Sequence, residues 1–324
     1  MGTKDKLLGW LESHKGIYCS GEEIAKELGV SRASVWKGIK ALQKEGYCID
    51  AVTNKGYCLS AQTDILSSQG IRKYLDPSYT GLDVVVLPSV DSTNAMVRER
   101  ANAGTAEGYT VVANEQTAGL GRSGRGFFSP PDTGIYLSLL LRPHACASQQ
   151  AVKTTTMAAV AACEAIEAVS EENAQIKWVN DIYVSGKKVA GILTAASFDL
   201  ENGMLDYAVL GIGFNVYPPK AGFPAELEQI AGTVFRTAQA DAKNHLAGEF
   251  LNRFMKYYTS PNPTDYVERY RSRSLVIGKP VCVTSGTGDR NALVRGIDDQ
   301  CRLLVTYDDG AEDCLSYGEI SIRL

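Results

Sequence analysis

A chain of 324 residues, 44% hydrophobic and 22% charged, is long enough for two or three domains with real cores and reads as an ordinary soluble globular protein. Its net charge of -4 is uneven: residues 1–60 carry 9 Lys and Arg against 7 Asp and Glu, a net +2, which leaves 24 against 30, a net -6, for the rest. That balance points to an anionic partner for the N-terminal part alone, and the polarity of the longest helix candidate (Lys153, Glu164, Glu167) speaks against a membrane span.

The eight cysteines contain no C-x-x-C pair and several sit in apolar runs, the pattern of buried thiols in a reducing compartment. Three scattered histidines suggest no zinc site, and the N-terminus lacks the apolar core of a signal peptide, so a cytoplasmic location is expected.

In chain order, residues 4–14 place Leu7, Leu8 and Leu11 on one helical face. Ser20 and Glu23 form a capping box, Ile24 and Leu28 continue that helix, and Gly29 ends it where a left-handed residue is wanted. Ser31 is an N-cap for a helix over 31–44, whose inner side carries Val35, Ile39 and Leu42 and whose only charges, Arg32, Lys37, Lys40 and Lys44, are positive. Residues 47–52 and 56–59 then flank Thr53-Asn54-Lys55, a hairpin with Lys55 at its tip. Two short helices across a glycine turn, the second cationic, followed by a wing predict a winged helix-turn-helix that binds DNA through Ser31, Arg32, Ser34, Lys37, Lys40 and Lys55. A solvated helix in a small packing module is the competing reading.

Residues 60–70 are polar and read as a linker or the start of a new domain. A strand follows at Val84–Leu87, and Asp91-Ser92-Thr93-Asn94 closes a loop that opens a helix running to about Ala103; its hydroxyls and amide either cap the helix or read a small polar ligand head. Between the apolar runs Tyr109–Ala113 and Ile135–Leu141 lies Gly119-Leu120-Gly121-Arg122-Ser123-Gly124-Arg125-Gly126. It matches G-x-G-x-x-G, but Pro130 and Pro131 forbid the helix a dinucleotide fold would open there, and the Lys-Ser/Thr ending of a P-loop is missing. The loop therefore joins two strands. It carries two planar guanidinium forks suited to phosphate on a backbone pliable enough to lie against a ligand.

An alanine-rich helix spans about 149–170. Lys177–Val184 and Lys187–Leu193 read as a hairpin around Ser185-Gly186, with Lys188 where its strand enters the core. Tyr207–Asn215 is a further apolar strand in which Gly211 and Gly213 permit close approach, with Asn215 at its exit. Helices are expected over 244–259 and 264–271, and from about Leu275 short runs between Gly and Asp turns predict a small all-β barrel.

These motifs, in this order, resemble the biotin protein ligases of the bifunctional class that also represses biotin genes: Asp91–Asn94, Glu115–Arg125, Lys177-Trp178-Val179-Asn180-Asp181, Lys188–Leu193 and Gly211–Asn215. Leu120, Ser123, Phe127 and Val179 depart from the residues most common there. The resemblance implies an α+β fold: a winged helix-turn-helix over 1–62, a mixed sheet with flanking helices of the class II aminoacyl-tRNA synthetase-like, biotin/lipoate ligase kind over 63–273, and an SH3-like barrel over 274–324. It implies biotinyl-AMP formation from ATP, Mg²⁺ and biotin, transfer of biotin to a lysine of a carboxylase carrier domain, and repression at operator DNA by a ligand-linked homodimer with biotinyl-AMP as corepressor. Biotin would be held by Ser92, Thr93, Asn94, Gln116, Leu120, Gly121, Arg122, Lys188 and Gly191, and the nucleotide by Arg122, Arg125, Lys188 and Asn215. Lys188, Arg122 and Arg125 would supply the catalytic charge, and Asp181 would help hold Mg²⁺. The adenine-stacking aromatic, sought near Tyr317, stays unassigned. The rival functions are a biotin-sensing repressor without ligation and a lipoate ligase.

Overall fold

The computed structural model describes residues 2–143, 147–198, 205–262, 264–285, 288–316 and 319–322. Its N-terminal unit holds α1 (Thr3–Ser13), α2 (Gly21–Leu28), α3 (Arg32–Lys44) and the two-stranded wing β1 (Ile49–Val52) and β2 (Gly56–Leu59). The local signals act as chemistry requires. Ser20 Oγ accepts from the Glu23 amide, Gly29 turns left-handed at φ 63°, and Ser31 Oγ accepts from the Ser34 amide. Leu7, Leu11, Ile24, Val35, Ile39 and Leu42 meet in a core of their own. This is the helix-turn-helix with a wing that the sequence predicts.

The central unit begins with α4 (Ser68–Arg72), a short helix not expected from the sequence, then β3 (Asp83–Leu87), α5 (Thr93–Asn102), β4 (Tyr109–Ala113), β5 (Gly134–Leu141), α6 (Ala147–Val169), β6 (Ala174–Lys177), β7 (Asp181–Val184), β8 (Lys187–Phe198), β9 (Leu205–Asn215), α7 (Ala242–Tyr258) and α8 (Val267–Ser272). Its seven strands run β3-β4-β5-β9-β8-β7-β6; β3 and β4 are parallel and the other neighbours antiparallel. One difference from the sequence reading lies at Lys177–Val184. That stretch is two strands, because Trp178 and Val179 turn inward: the indole N–H donates to the Cys301 carbonyl at 3.0 Å and Tyr270 Oη donates to the Val179 carbonyl at 3.0 Å.

The sheet has two occupied faces. Ile135, Leu137 and Leu139 of β5 and Leu210, Ile212 and Phe214 of β9 pack under α6 and α7, whereas Val97 and Ala101 of α5 cover Val111, Leu140, Tyr207 and Val209 on the opposite face. By the two-residue period of a strand, Tyr136 and Ser138 of β5 and Gly211 and Gly213 of β9 lie on the α5 face, and they are register partners: Tyr136 with Gly213, Ser138 with Gly211.

The C-terminal unit is a five-stranded antiparallel SH3-like sheet in the order β13-β12-β11-β10-β14, from β10 (Pro280–Ser285), β11 (Gly288–Ile297), β12 (Leu303–Tyr307), β13 (Glu312–Leu315) and β14 (Glu319–Ile322). Its inner residues Val281, Val294, Leu303 and Val305 belong to the same core as α6 and α7. The N-terminal unit is joined differently. Glu12, 2% exposed, meets Lys15 at 3.2 Å and Lys73 at 2.7 Å, and both lysines pair with Asp241 at the start of α7, Lys15 at 2.9 Å. Tyr74 Oη (2.7 Å) and Asn244 Nδ2 (2.9 Å) also donate to Asp241. Two carboxylates and two ammonium groups thus neutralise one another in a nearly dry seam.

The described cysteines are free thiols, four of them (Cys19, Cys58, Cys163, Cys301) buried; Cys146 lies outside the described residues. Among the described residues no helix is long and apolar enough to cross a membrane.

Candidate active site

The α5 face of the sheet opens into a cleft of about 400 Å³. Ser92, Thr93, Asn94, Gln116, Leu120, Gly121, Arg122, Arg125, Lys188, Gly191, Asp181 and Asn215 all line it, so the structure gathers into one place every ligase residue singled out from the sequence.

The floor explains its own glycines. A Cβ on Gly211 would strike the Asn94 amide and one on Gly213 the ring of Phe127, which also stands 3.3 Å from where a Cβ of Gly191 would be. Only hydrogen side chains let these groups lie flat on the sheet. Phe127, named in the sequence only as a departure, is therefore an apolar wall of the cleft, edge-on to Tyr136 at 6.3 Å. From Gly211 through Gly213 to Asn215 the strand covers about 13 Å, with Asn94 over the first glycine, Phe127 over the second and Asn215 last.

The polar groups are tied to one another. Thr93 donates to Gln116 Oε1 from both its amide (2.9 Å) and its hydroxyl (3.0 Å), and Gln116 Nε2 donates to Ser129 Oγ at 3.2 Å. Ser138 Oγ, fully buried, stands 2.8 Å from Thr93 Oγ1 and 2.6 Å from Asn94 Oδ1, while Asn94 Nδ2 donates to the Leu193 carbonyl at 3.4 Å. Ser138 was missed in the sequence, although the one serine inside Ile135–Leu141 had to find a buried partner. Ser92 lines the cleft and spends its Oγ capping α5 at the Ala95 amide.

The charged side is equally built. The glycine-rich loop crosses between β4 and β5 as expected, pinched by a Leu120–Gly126 bridge with Ser123 left-handed at φ 56°. Arg122 Nη1 donates to Asn180 Oδ1 at 2.9 Å, and Asn180 Nδ2 donates to the Ile192 carbonyl at 2.8 Å, which pins the loop to the β6–β7 turn. Arg125 is exposed on the same loop and Leu120 is 56% exposed. Lys188 Nζ pairs with Asp181 Oδ1 at 2.7 Å. Burial, reinforced by the Asp181 charge, pushes the Tyr183 phenol up to about 12, so this wall of the cleft stays neutral there. Phe223, Leu227 and Ile230, from the segment between β9 and α7, complete the lining and carry no sequence signal of that role.

Asp181 Oδ1 is buried and poorly aligned for a hydrogen bond, with the Lys188 ammonium as its close neighbour. No cluster of three or more His, Cys, Asp or Glu exists among the described residues. A single carboxylate without acidic neighbours can add one ligand to an ion that arrives on a nucleotide's phosphates, as Mg²⁺ commonly does, but builds no cage of its own. Tyr317 lies outside the described residues.

In the N-terminal unit Arg32, Lys37 and Lys40 are exposed on α3. Ser31 and Ser34 share a hydroxyl contact of 2.9 Å at the helix start, and Lys55 sits on the wing, 5.7 Å from the Tyr18 ring.

Residues 86–215 match the Biotin/lipoate A/B protein ligase family, residues 3–58 an HTH domain, and residues 276–323 the Biotin protein ligase C terminal domain. The chain is 35% identical over 304 residues to the Bifunctional ligase/repressor BirA of Bacillus subtilis, covering 92% of each. It is 29% identical to the protein of the same name from Escherichia coli, across 98% of this chain and 96% of that one. Among solved structures it is similar in fold to the biotin protein ligase from Aquifex aeolicus in complex with biotin and ATP, with a TM-score of 0.60 and 24% identity over 74% of this chain and 98% of the other.

Proposed function

Because the chain belongs to the biotin protein ligases of the bifunctional ligase/repressor class, we propose that it activates biotin with ATP and passes it to a lysine of a carboxylase carrier domain. The loaded protein then represses biotin genes at their operator DNA, as a ligand-linked homodimer in the cytoplasm. The observation that carries the chemistry is the order of groups along one strand: the amides and hydroxyl of Asn94, Thr93 and Gln116 at Gly211, an apolar wall at Gly213, and Lys188 and Arg122 alongside. That order suits a molecule with a polar head, an apolar tether and a carboxylate.

In the first half-reaction a biotin carboxylate oxygen forms a bond to the α-phosphorus of ATP, and the bond to the β-phosphate oxygen breaks, releasing pyrophosphate. In the second, the neutral carrier amine attacks the anhydride carbonyl; the bond to AMP breaks and the amine gives up a proton. The carboxylate needs no activation, so the protein's task is to bring two anions together, and fixed cations at Lys188, Arg122 and Arg125 lower that repulsion. Mg²⁺, held on the nucleotide's phosphates with Asp181 as its protein carboxylate, would neutralise charge there, and Asn215 would meet the nucleotide. Intact Lys188, Arg122 and Arg125 in the cleft disfavour a repressor that only senses biotin.

Incubation with ATP, labelled biotin and a carrier domain, followed by an operator gel shift on the same tubes, tests both halves. An unlabelled carrier ends the ligase reading; a shift that ignores biotin ends the regulatory one.

Two variants probe the positioning. Ser138→Ala leaves Asn94 and Thr93 short of a buried donor, which costs about 1–3 kcal/mol, so the KM for biotin should rise roughly tenfold with kcat little changed. An unaltered KM removes Ser138 from the site. Arg122→Gly cuts the loop from Asn180, a charged hydrogen bond of about 1.5–3 kcal/mol. Biotinyl-AMP should then escape roughly ten to a hundred times faster in a filter-retention assay, and wild-type retention would count against the loop as a cover.

A further inference from the structure

The outward face of α3 is not uniformly charged. Trp36 is 53% exposed, and Ala33 is exposed one turn before it. The other two tryptophans spend their N–H groups on Glu27 and on the Cys301 carbonyl, whereas the Trp36 indole has no hydrogen-bond partner among the described residues. Val35, Ile39 and Leu42 fill the inner face of the helix, and Trp36 lies off that face with about half of its surface in water. A groove beside it is lined by Arg32, Ala33 and Trp36 from α3 and by Val52, Thr53 and Asn54 from the wing. A bare indole in water forfeits the gain of burial, so its surface is available to a partner.

Charge selects that partner. α3 carries Arg32, Lys37, Lys40 and Lys44 and no carboxylate, so the groove is suited to a polyanion. The cations can take phosphates, whereas Ala33 offers a methyl group and Trp36 an indole that is apolar but for its single N–H donor. They are the second and fifth residues of the helix, the part of a recognition helix that reaches base edges in the major groove. The apolar feature displayed there is the thymine C5-methyl group, which small and aromatic apolar side chains contact.

Resting on the DNA-binding reading above, we infer that Ala33 and Trp36 form an apolar reading strip on α3 that recognises thymine methyl groups, and that Trp36 is a sequence-specificity residue of the repressor function.

The test uses the full-length protein with biotin and ATP and a duplex enriched by that protein from a random-sequence pool. The duplex is made in two forms, with thymine and with deoxyuridine, which differ in the methyl groups alone. Wild type should bind the thymine form on the order of tenfold tighter, the usual scale for one lost base contact. Trp36→Ala should lose most of that preference, keeping only the small part that Ala33 supplies, with the salt slope unchanged because no cation is lost. Trp36→Phe should keep most of the preference, and thermal midpoints check that both variants are folded. Trp36→Ala retaining the thymine preference undiminished, wild type indifferent to uracil, or an equal loss on enriched and random duplexes each overturns the inference alone. A wild-type protein that enriches no duplex overturns the DNA-binding reading and the inference with it.

Discussion

Pyrophosphate release at saturating biotin and ATP is expected to fall by roughly 10²–10³-fold in Lys188→Ala, the usual effect of removing one donor aimed at charge that builds in a transition state. Lys188 is about one-third exposed at the mouth of β8, and its ion-pair partner is Asp181. The deletion takes away a mostly covered stem and one partner of an ion pair, so the thermal midpoint should fall modestly with the variant still folded. It does leave Asp181 facing the cleft without its cation, so the variant turns a neutral pair into a negative wall where two anions must meet. Both changes act in the same direction. KM for biotin should move less than kcat, because Thr93, Asn94 and Gln116, the residues proposed to hold its polar head, do not pair with Lys188. A folded variant that releases pyrophosphate at the wild-type rate would dismiss Lys188 as the activating cation.

The second large effect is expected far from the chemistry. Glu12→Ala should cost about 3 kcal/mol of the coupling between the DNA-binding unit and the rest, because breaking a buried pair strands its partner charge. Glu12 neutralises Lys15 and Lys73 together, so its loss leaves two ammonium groups to one carboxylate, Asp241. Burial raises the Asp241 carboxyl, yet hydrogen bonds from Lys73, Asn244, Tyr74 and Lys15 outweigh it and hold the group below the ordinary aspartate value. A depressed folded value means that its stabilisation is present above the ordinary aspartate pKa and is lost as the pH falls through the folded one. In urea, Glu12→Ala should show the N-terminal unit unfolding in a separate, earlier transition, and wild type should approach that behaviour in acid. A single transition at the wild-type midpoint at neutral pH would show that the seam contributes nothing.

What the sequence made legible follows from range. Ser20, Gly29 and Ser31 act within four residues of themselves, so the helix-turn-helix was readable from its punctuation. The loop at 119–126 was readable as a strand connection because Pro130 and Pro131 close off the alternative. By contrast, Trp178 and Val179 look like strand residues, and what bends the chain there is distant: the Cys301 carbonyl and the Tyr270 hydroxyl. In the barrel the apolar runs at 280–284, 292–297, 302–307 and 320–324 were legible, but β13 was not, because Glu312 and Asp313 belong to an exposed edge strand with little apolar alternation. In the site, Asn94, Gln116, Arg122 and Lys188 stand in motifs, whereas Phe223, Leu227 and Ile230 reach the cleft from a segment without periodicity. The seam was invisible for the same reason, since Glu12, Lys73 and Asp241 have nothing in common until the chain folds.

The unequal joints have a consequence for how such a protein can be taken apart. Removing the C-terminal unit would take Val281, Val294 and Leu303 out of the core they share with the central unit and deprive the Trp178 indole of the Cys301 carbonyl, so catalysis and barrel belong to one module. The front end keeps its own oil, to which the neighbour adds little beyond Ile65, and is tied on chiefly by salt. A foreign reader head could be grafted there, provided it brought acid at position 12 and base at position 15 to match the socket.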